Sequence, residues 1–262
     1  MHPQHGSSPP RCPKPPAAAA LLTLPFPLPH AAVPGCPDAE TIRGTIGTPL
    51  LGQVRMCLAG LRGTAAAPDD DAFERLVAEY SERYRAHQAD AWREHVRVFA
   101  GVPEMLAALE RGGCELAVVT SRTAPSCFAY LRHFDLAKHF PVVCTPDNTD
   151  KHKPDPEPAV FALNALLDGE ARTGGGVPRS LGHVARYCRR DAIPRDVLDH
   201  AWFVGDALTD VQCGNACGAK SILARWGPET SKEGTAAAEQ AATHVARAPE
   251  DVLRLVLRDG CE

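Results

Sequence analysis

Three polar motifs in the second half of the chain combine residue types that can bind a phosphate group and a divalent cation. Thr120 and Ser121 follow a short apolar run, where a hydroxyl can donate a hydrogen bond to a phosphate oxygen. Lys153 lies in a proline-rich loop and can neutralise phosphate charge as a compact cation. Asp206 and Asp210 follow another apolar run, and carboxylates bind Mg²⁺ together with water and phosphate oxygens. The motifs together predict a site for a phosphorylated ligand and Mg²⁺.

Each motif taken alone has a simpler structural explanation. A Thr-Ser pair after a strand is usually a helix cap, and Lys-Pro in a loop is usually a turn. The Gly-Asp-x-x-x-Asp pattern of residues 205–210 also fits a β-to-α loop in which an aspartate caps the helix. The order of the three motifs, and their position after successive apolar runs, favour the functional interpretation.

Short apolar strands alternate with helices after Val98, which is typical of parallel β-α units. The predicted strands are 116–120, 141–144, 201–204, 221–224 and 244–245, and predicted helices lie near residues 103, 127, 159, 211 and 250. We therefore predict an α/β fold with a doubly wound parallel sheet. Ligands of such sheets bind beyond the carboxyl ends of the strands, which is where the three motifs lie.

Three other segments differ in composition from this α/β core, which spans 99–262. Residues 41–98 show helical spacing of apolar side chains and no strand, which predicts a small helical domain. Residues 1–40 predict a disordered tail, because 11 of the 24 prolines lie between Met1 and Pro37. Residues 168–192 carry three consecutive glycines and five arginines, and predict a solvated loop insertion, with a basic partner-docking loop as the alternative.

Charge, hydropathy and cysteine usage exclude several classes of protein. The 28 Lys+Arg against 32 Asp+Glu give a net charge of −4, which argues against a general nucleic-acid binder. No apolar run reaches the roughly 18–20 residues that span a bilayer, so an integral membrane protein is not expected. Ten cysteines without a C-x-x-C pair suggest a reduced, cytoplasmic chain, in which Cys213 and Cys217 pack rather than bind metal. A targeting signal at Arg11 to Leu24 is the alternative for the tail, although prolines follow its apolar stretch.

The motifs in combination resemble those of the haloacid dehalogenase superfamily, and most of all its phosphoglycolate-phosphatase-like branch with a helical cap. The resemblance covers about residues 41–257 apart from the insertion, and the matching segments are 41–47, 118–122 (Val-Val-Thr-Ser-Arg), 153–156 (Lys-Pro-Asp-Pro) and 204–210 (Val-Gly-Asp-Ala-Leu-Thr-Asp). It implies a Mg²⁺-dependent phosphatase that hydrolyses a small phosphorylated metabolite, with residues 41–98 as the cap.

The same resemblance implies a role for each residue of the candidate site. The residues implied to bind the substrate are Thr120, Ser121, Arg122 and Lys153. Ser121 and Lys153 are also implied to act in catalysis, by binding the phosphate and stabilising its charge. Asp206 and Asp210 are the implied metal ligands, and neither nucleic acid nor a membrane is an implied partner.

One motif of the family has no counterpart in this sequence. The first strand of the family ends in Asp-x-Asp-Gly-Thr, whose first aspartate attacks phosphorus and whose second acts as acid and base. The corresponding region here, upstream of Ile46, contains no aspartate before Asp38, and Asp69-Asp70-Asp71 fits a helix N-terminus instead. We therefore expect a sheet that lacks its first strand and a chain with little or no phosphatase activity, because covalent transfer needs a carboxylate nucleophile.

Three interpretations of this gap remain open at the level of sequence. The first is a phosphatase whose sequence begins wrongly, since the composition changes at about residue 38, where the first motif should have ended. The second is a non-catalytic relative that binds a phosphate compound or a protein partner. The third is a flavodoxin-like or receiver-like domain with Asp206 as a lone acceptor, which the helical block and the Lys-Pro loop disfavour. Phosphoglycolate, pyrophosphate and sugar phosphates all fit as substrates.

Overall fold

A computed structural model describes residues 18–20, 49–62, 71–169, 181–227 and 232–258. Six parallel strands among these residues form one sheet in the order β3-β2-β1-β4-β5-β6. The strands are β1 (Ala18–Ala20), β2 (Leu116–Val119), β3 (Val142–Cys144), β4 (Trp202–Gly205), β5 (Lys220–Ala224) and β6 (His244–Ala246). The order reverses direction at β1, so the predicted doubly wound parallel sheet is confirmed.

Helices connect the strands of the sheet and follow its last strand within the described ranges. They are α1 (Leu50–Arg62), α2 (Asp71–His95), α3 (Val102–Arg111), α4 (Ala124–His133), α5 (Glu157–Asp168), α6 (Arg195–His200), α7 (Leu208–Cys217), α8 (Lys232–Ala241) and α9 (Pro249–Arg258). In the part of the chain that is described, none of these helices has the length and hydropathy required to cross a bilayer.

Strand β1 corrects the expectation of a sheet without its first strand. Ala18 lies opposite Leu116 on one side and Trp202 on the other, so β1 fills the position between β2 and β4. These three residues also correct the prediction of a disordered tail, of which residues 1–17 and 21–40 lie outside the described residues. The chain continues after β1 with Leu21-Leu-Thr23, so no aspartate stands directly after this strand, and the first one is Asp38.

The buried strands have apolar side chains on both faces of the sheet. On β2, Leu116 and Val118 point into a core shared with α3, α4 and α9, whereas Ala117 and Val119 point into a second core shared with α5 and α7. Successive side chains of a strand alternate between its faces, so a strand covered on both sides needs a continuous apolar run. Cys213 and Cys217 of α7 are fully buried in the second core, as the sequence predicts.

The described part of residues 41–98 is helical, as predicted, and consists of α1 and α2. Arg55 of α1 forms an ion pair with Glu74 of α2 over 2.5 Å. The far end of α2 reaches the α/β core, where Trp92 packs edge-on against Tyr130 of α4 with ring centroids 4.2 Å apart. These two contacts link the helices to each other and to the core. Residues 41–48 and 63–70 lie outside the described residues.

The described half of the predicted insertion, residues 181–192, contacts the core through one buried aromatic side chain. It contains the 3₁₀ turns Ala185–Cys188 and Arg190–Ala192. Tyr187 is only 3% exposed, and its ring stands perpendicular to that of Phe161 on α5 at a centroid distance of 5.4 Å. Arg186, Arg189 and Arg190 are exposed to solvent, whereas Tyr187 fixes this segment to the core. Residues 170–180 lie outside the described residues.

Candidate functional site

The carboxyl end of β2 presents Thr120 and Ser121 at the edge of the sheet. The N–H of Thr120 donates to the carbonyl of Cys144 over 2.9 Å and extends the ladder between β2 and β3 by one bond. The Thr120 Oγ1 accepts a hydrogen bond from the N–H of Arg122 over 3.1 Å, which fixes the turn that follows. Helix α4 begins after Thr123, so neither Thr120 nor Ser121 is its N-cap. The simple capping explanation of this motif therefore does not hold.

A pocket opens between the ends of β2 and β3, and its polar lining is rich in hydroxyl groups. The residues around it are Val119, Thr120, Ser121, Thr145, Pro146, Thr149, His152, Lys153 and Pro158. The hydroxyls of Thr120 and Ser121 together with one buried ammonium suit a small anion, because charge-assisted hydrogen bonds are stronger than neutral ones. The structure thus brings the predicted residues Thr120, Ser121 and Lys153 together in one concave site.

Lys153 also connects this pocket to the end of β4. Its Nζ donates to Oδ1 of Asp210 over 2.6 Å, and the two side chains are 4% and 1% exposed. The other carboxylate oxygen of Asp210 accepts a hydrogen bond from the N–H of Ala207 over 3.1 Å. Asp210 therefore fixes the lysine and the start of α7 at the same time, and it combines the capping role with an ion pair.

Gly205 permits this arrangement because a larger residue would not fit beside Asp210. A Cβ placed on Gly205 would overlap the Cβ, Cγ and Oδ2 atoms of Asp210. The backbone of β4 and the buried carboxylate can approach this closely only when the residue at this point lacks a side chain. The glycine in the 205–210 motif is thus a packing requirement of the site.

Asp206 lies next to this ion pair and carries the least compensated charge of the three groups. Burial, followed by the negative charge of Asp210, raises the pKa of its carboxyl to about 7, and the charge of Lys153 opposes this rise. Two carboxylates share one ammonium here, so the ionised cluster has an excess of negative charge. Carboxylates are the protein ligands that Mg²⁺ prefers, and a divalent cation would relieve this excess. The carboxylates present therefore fit a Mg²⁺ ion by their chemistry.

Arg122 does not line the pocket, although the resemblance implies that it binds substrate. Its guanidinium carbon lies 4.8 Å from the ring centroid of Tyr130, over the face of that ring. Its positive charge also acts on Tyr84 of α2, where it opposes the rise in pKa that burial causes. The structure thus places Arg122 between α4 and the preceding helical segment.

Two hydroxyl residues of the pocket were not predicted from the sequence. Thr145 follows β3 as Thr120 follows β2, and its hydroxyl and N–H both donate to Oδ1 of Asn148, over 3.0 and 2.6 Å. The hydroxyl of Thr149 donates to the carbonyl of Lys151 over 2.8 Å. Thr145 has the same local signal as Thr120, because it directly follows an apolar run.

The sequence of the chain matches two models of protein families that together cover most of the described core. The model for haloacid dehalogenase-like hydrolases matches residues 58–171, and a related HAD-hydrolase-like model matches residues 152–252. Together with the parallel sheet and the three motifs at its edge, and with the relatives described next, these matches establish the class. The chain belongs to the haloacid dehalogenase-like hydrolase family.

Curated relatives of the chain are phosphatases. It is 30% identical over 191 residues to the N-acetylmuramic acid 6-phosphate phosphatase of Pseudomonas putida, covering 72% of this chain and 68% of the relative. It is 29% identical over 189 residues to the phosphoglycolate phosphatase of Nitrosospira multiformis, covering 72% and 68%. These relatives differ in substrate but share the hydrolysis of a phosphate group.

Solved structures show the same fold at lower sequence identity. A predicted phosphoglycolate phosphatase from Haemophilus somnus superposes with a TM-score of 0.60 at 16% identity, over 84% of each chain. CbbY from Rhodobacter sphaeroides in complex with phosphate superposes with a TM-score of 0.55 at 19% identity, over 82% of this chain and 80% of that one. The likeness confirms the α/β core.

Proposed function

We propose that the chain is a haloacid dehalogenase-like phosphatase whose site binds the phosphate group of a small phosphorylated metabolite together with Mg²⁺. The observation that carries this proposal is the buried ion pair between Asp210 and Lys153, which lines the hydroxyl-rich pocket. A buried ammonium beside hydroxyl donors gives a compact site for a phosphate dianion.

The proposed site has two parts that meet at Lys153. Thr120 and Ser121 would donate hydrogen bonds to phosphate oxygens, and Lys153 in the same pocket would neutralise the charge of the phosphate. Asp206 would coordinate Mg²⁺, and Asp210 would contribute to the metal site while it holds the lysine. When bound, Mg²⁺ would supply positive charge to the phosphate oxygens and lower the repulsion that an attacking oxygen meets.

Turnover by this chain is proposed to be low. Phosphoryl transfer in this family requires a carboxylate in line with the leaving oxygen, and the sequence after β1 continues with leucine and threonine. Removal of a nucleophile costs many orders of magnitude in rate even where substrate binding survives. The second candidate function, a non-catalytic protein that binds a phosphate compound, rests on the same observation, because binding residues are retained where the nucleophile is not.

The decisive experiment separates binding from turnover in the full chain. Calorimetric titration with inorganic phosphate in the presence of Mg²⁺ is expected to show saturable binding, which Lys153→Met abolishes. Lys138→Met is a matched control, because Lys138 forms an exposed ion pair with Asp135 outside the pocket. No binding by folded wild-type protein, or equal binding by Lys153→Met, would overturn the proposed site.

Turnover is measured on the same preparations with p-nitrophenyl phosphate. We expect release of p-nitrophenol close to the uncatalysed rate with and without Mg²⁺. Robust Mg²⁺-dependent release that Asp206→Asn abolishes would contradict the low-turnover part of the proposal and establish an active phosphatase. Binding without turnover would favour the non-catalytic function.

A further inference from the structure

A second group of metal-ligating side chains lies next to the phosphate pocket. Glu157, His183 and Cys188 each offer one ligand atom, and these atoms lie within 4.8 Å of one another. Glu157 is the first residue of α5, whereas His183 and Cys188 belong to the packed half of the insertion. The group thus joins segments about 25 to 30 positions apart, and it shares no residue with the proposed phosphate and Mg²⁺ site.

Two buried asparagines hold the backbone that carries His183 and Cys188. The Nδ2 of Asn148 donates to the carbonyl of Gly182 over 2.8 Å, directly before the histidine. The Nδ2 of Asn164 donates to the carbonyls of Tyr187 and Arg189 over 2.8 and 3.0 Å, on either side of the cysteine. Both asparagines are less than a tenth exposed. The candidate ligands therefore sit on a fixed backbone, which reduces the cost of assembling a metal site.

The carboxylate of Glu157 is also fixed in place. Its Oε1 accepts the N–H of Asp150 over 3.0 Å, and its Oε2 accepts the N–H of Lys151 over 3.2 Å. The Asp150 carboxylate lies beside the same group, with its Oδ1 3.7 Å from Nε2 of His183. Two carboxylates thus converge on an imidazole and a thiol, and this concentrates negative charge where a cation would bind.

The donor set points to one class of metal. A thiol, an imidazole and a carboxylate are the ligands of Zn²⁺, whereas Mg²⁺ and Ca²⁺ take oxygen ligands alone. Zn²⁺ would bind the cysteine as a thiolate, and the thiol proton would be released to solvent.

We propose that Glu157, His183 and Cys188 form a Zn²⁺ site, with water or the Asp150 carboxylate as the fourth ligand. The site would fasten the insertion to the start of α5 and to the loop of residues 150–153. Because this loop carries Lys153, zinc would stabilise the segment that positions the phosphate-binding lysine. The proposal does not depend on phosphatase activity, since its residues and its readout are separate from those of the pocket.

The test is an optical titration of the full chain with Co²⁺ after removal of metals by a chelator. We expect a thiolate-to-cobalt charge-transfer band that saturates at one equivalent and disappears when Zn²⁺ is added. Cys188→Ala is expected to abolish the band, and His183→Asn to weaken Co²⁺ binding by more than about tenfold. Zinc is also expected to raise the melting temperature of the wild type but not that of Cys188→Ala.

Two control variants show whether the effect is specific to this cluster. Cys57→Ala removes a partly exposed thiol of α1, and His200→Asn removes an exposed imidazole of α6, and neither is expected to alter the titration. No charge-transfer band in folded wild-type protein would overturn the proposal, and so would a band of equal intensity in Cys188→Ala. His183→Asn changes a partly exposed side chain, so it supplies the test if the cysteine variant does not fold; unchanged Co²⁺ affinity in this variant would also overturn the proposal.

Discussion

The ammonium of Lys153 and the carboxylate of Asp210 form a buried ion pair over 2.6 Å between residues 57 positions apart in the chain. Such a pair has a modest net value compared with apolar residues of similar size, because both charges lose their hydration. Removal of only one partner is strongly destabilising, because the other charge then remains buried without compensation. The pair therefore links the pocket to the start of α7, and single substitutions of Lys153 and Asp210 can measure how much this link contributes to stability.

Removal of either charge alone is expected to lower the free energy of unfolding strongly, and removal of both charges is expected to lower it much less. Lys153→Met should lower the free energy of unfolding by about 3–5 kcal/mol, because Asp210 is left buried and uncompensated. Asp210→Leu should lower the free energy of unfolding by a similar amount, because Lys153 is then left buried and uncompensated. In the double variant the loss should be smaller than the sum of the two, as expected for residues in direct contact. Urea unfolding of the four proteins measures the difference, and strictly additive losses would contradict this account.

Gly205→Ala is expected to damage both the site and the fold. The added methyl group would overlap the side chain of Asp210, and overpacking of this kind costs about 1–3 kcal/mol. Because Asp210 must move, phosphate binding in the presence of Mg²⁺ should also weaken. The measurements are urea unfolding and calorimetric titration of the same preparations.

Gly214→Ala is the matched control for this prediction. A Cβ at Gly214 would lie 2.6 Å from the Cβ of Phe203, so stability should fall through an overlap in the second core, away from the pocket. The folded fraction of this variant should bind phosphate with unchanged affinity. If Gly205→Ala bound phosphate as tightly as Gly214→Ala does, the close approach of β4 to Asp210 would have no role in the site.

The stability of the metal-free protein is expected to depend on pH through Asp206. Burial and the charge of Asp210 raise the pKa of this carboxyl from 3.8 to about 7 in the folded state. Between these values the folded protein holds a proton that the unfolded protein has lost. The free energy of unfolding therefore falls as the pH rises from 3.8 to about 7, and it decreases no further through this group above about 7. Asp206→Asn should therefore gain stability relative to the wild type between about pH 5 and about pH 8.

The measurement is urea unfolding of the wild type and of Asp206→Asn at about pH 5 and about pH 8, in the presence of a chelator. Addition of Mg²⁺ at the higher pH should recover part of the wild-type stability, because the cation binds the ionised carboxylate of the folded state. An identical pH dependence in Asp206→Asn and the wild type would show that the charge on Asp206 does not oppose folding.

The α/β core was predictable because each of its longer elements has a strong local signal. Strand β2 is a continuous apolar run, and α3 begins near Pro103 and ends before the Gly112-Gly113 pair. The common location of the polar motifs could then be predicted without knowledge of tertiary contacts, since in a parallel sheet the carboxyl ends of all strands lie at one edge.

The elements that sequence analysis missed lack such signals. Strand β1 consists of three alanines, which have low strand propensity, and prolines surround it, so only pairing with its neighbours defines it. The three proposed zinc ligands also lack a local signal, because Glu157 and His183 are separated by 25 other residues and only the packing of the insertion brings them together. The position of Arg122 also follows from tertiary contacts, because its neighbour Tyr84 belongs to a separate segment of the chain.

Substitution of Arg122 distinguishes a packing role from a role in ligand binding. Its guanidinium lies over the ring of Tyr130, and contacts of this kind contribute roughly 0.5–2 kcal/mol. Arg122→Met keeps the aliphatic stem but removes the charge, so we expect a loss of stability in this range and no change in phosphate affinity. The pKa of Tyr84 should rise further, because the positive charge that lowers it is gone. Unchanged stability together with lost phosphate binding would place the guanidinium on the ligand, as the family resemblance implies.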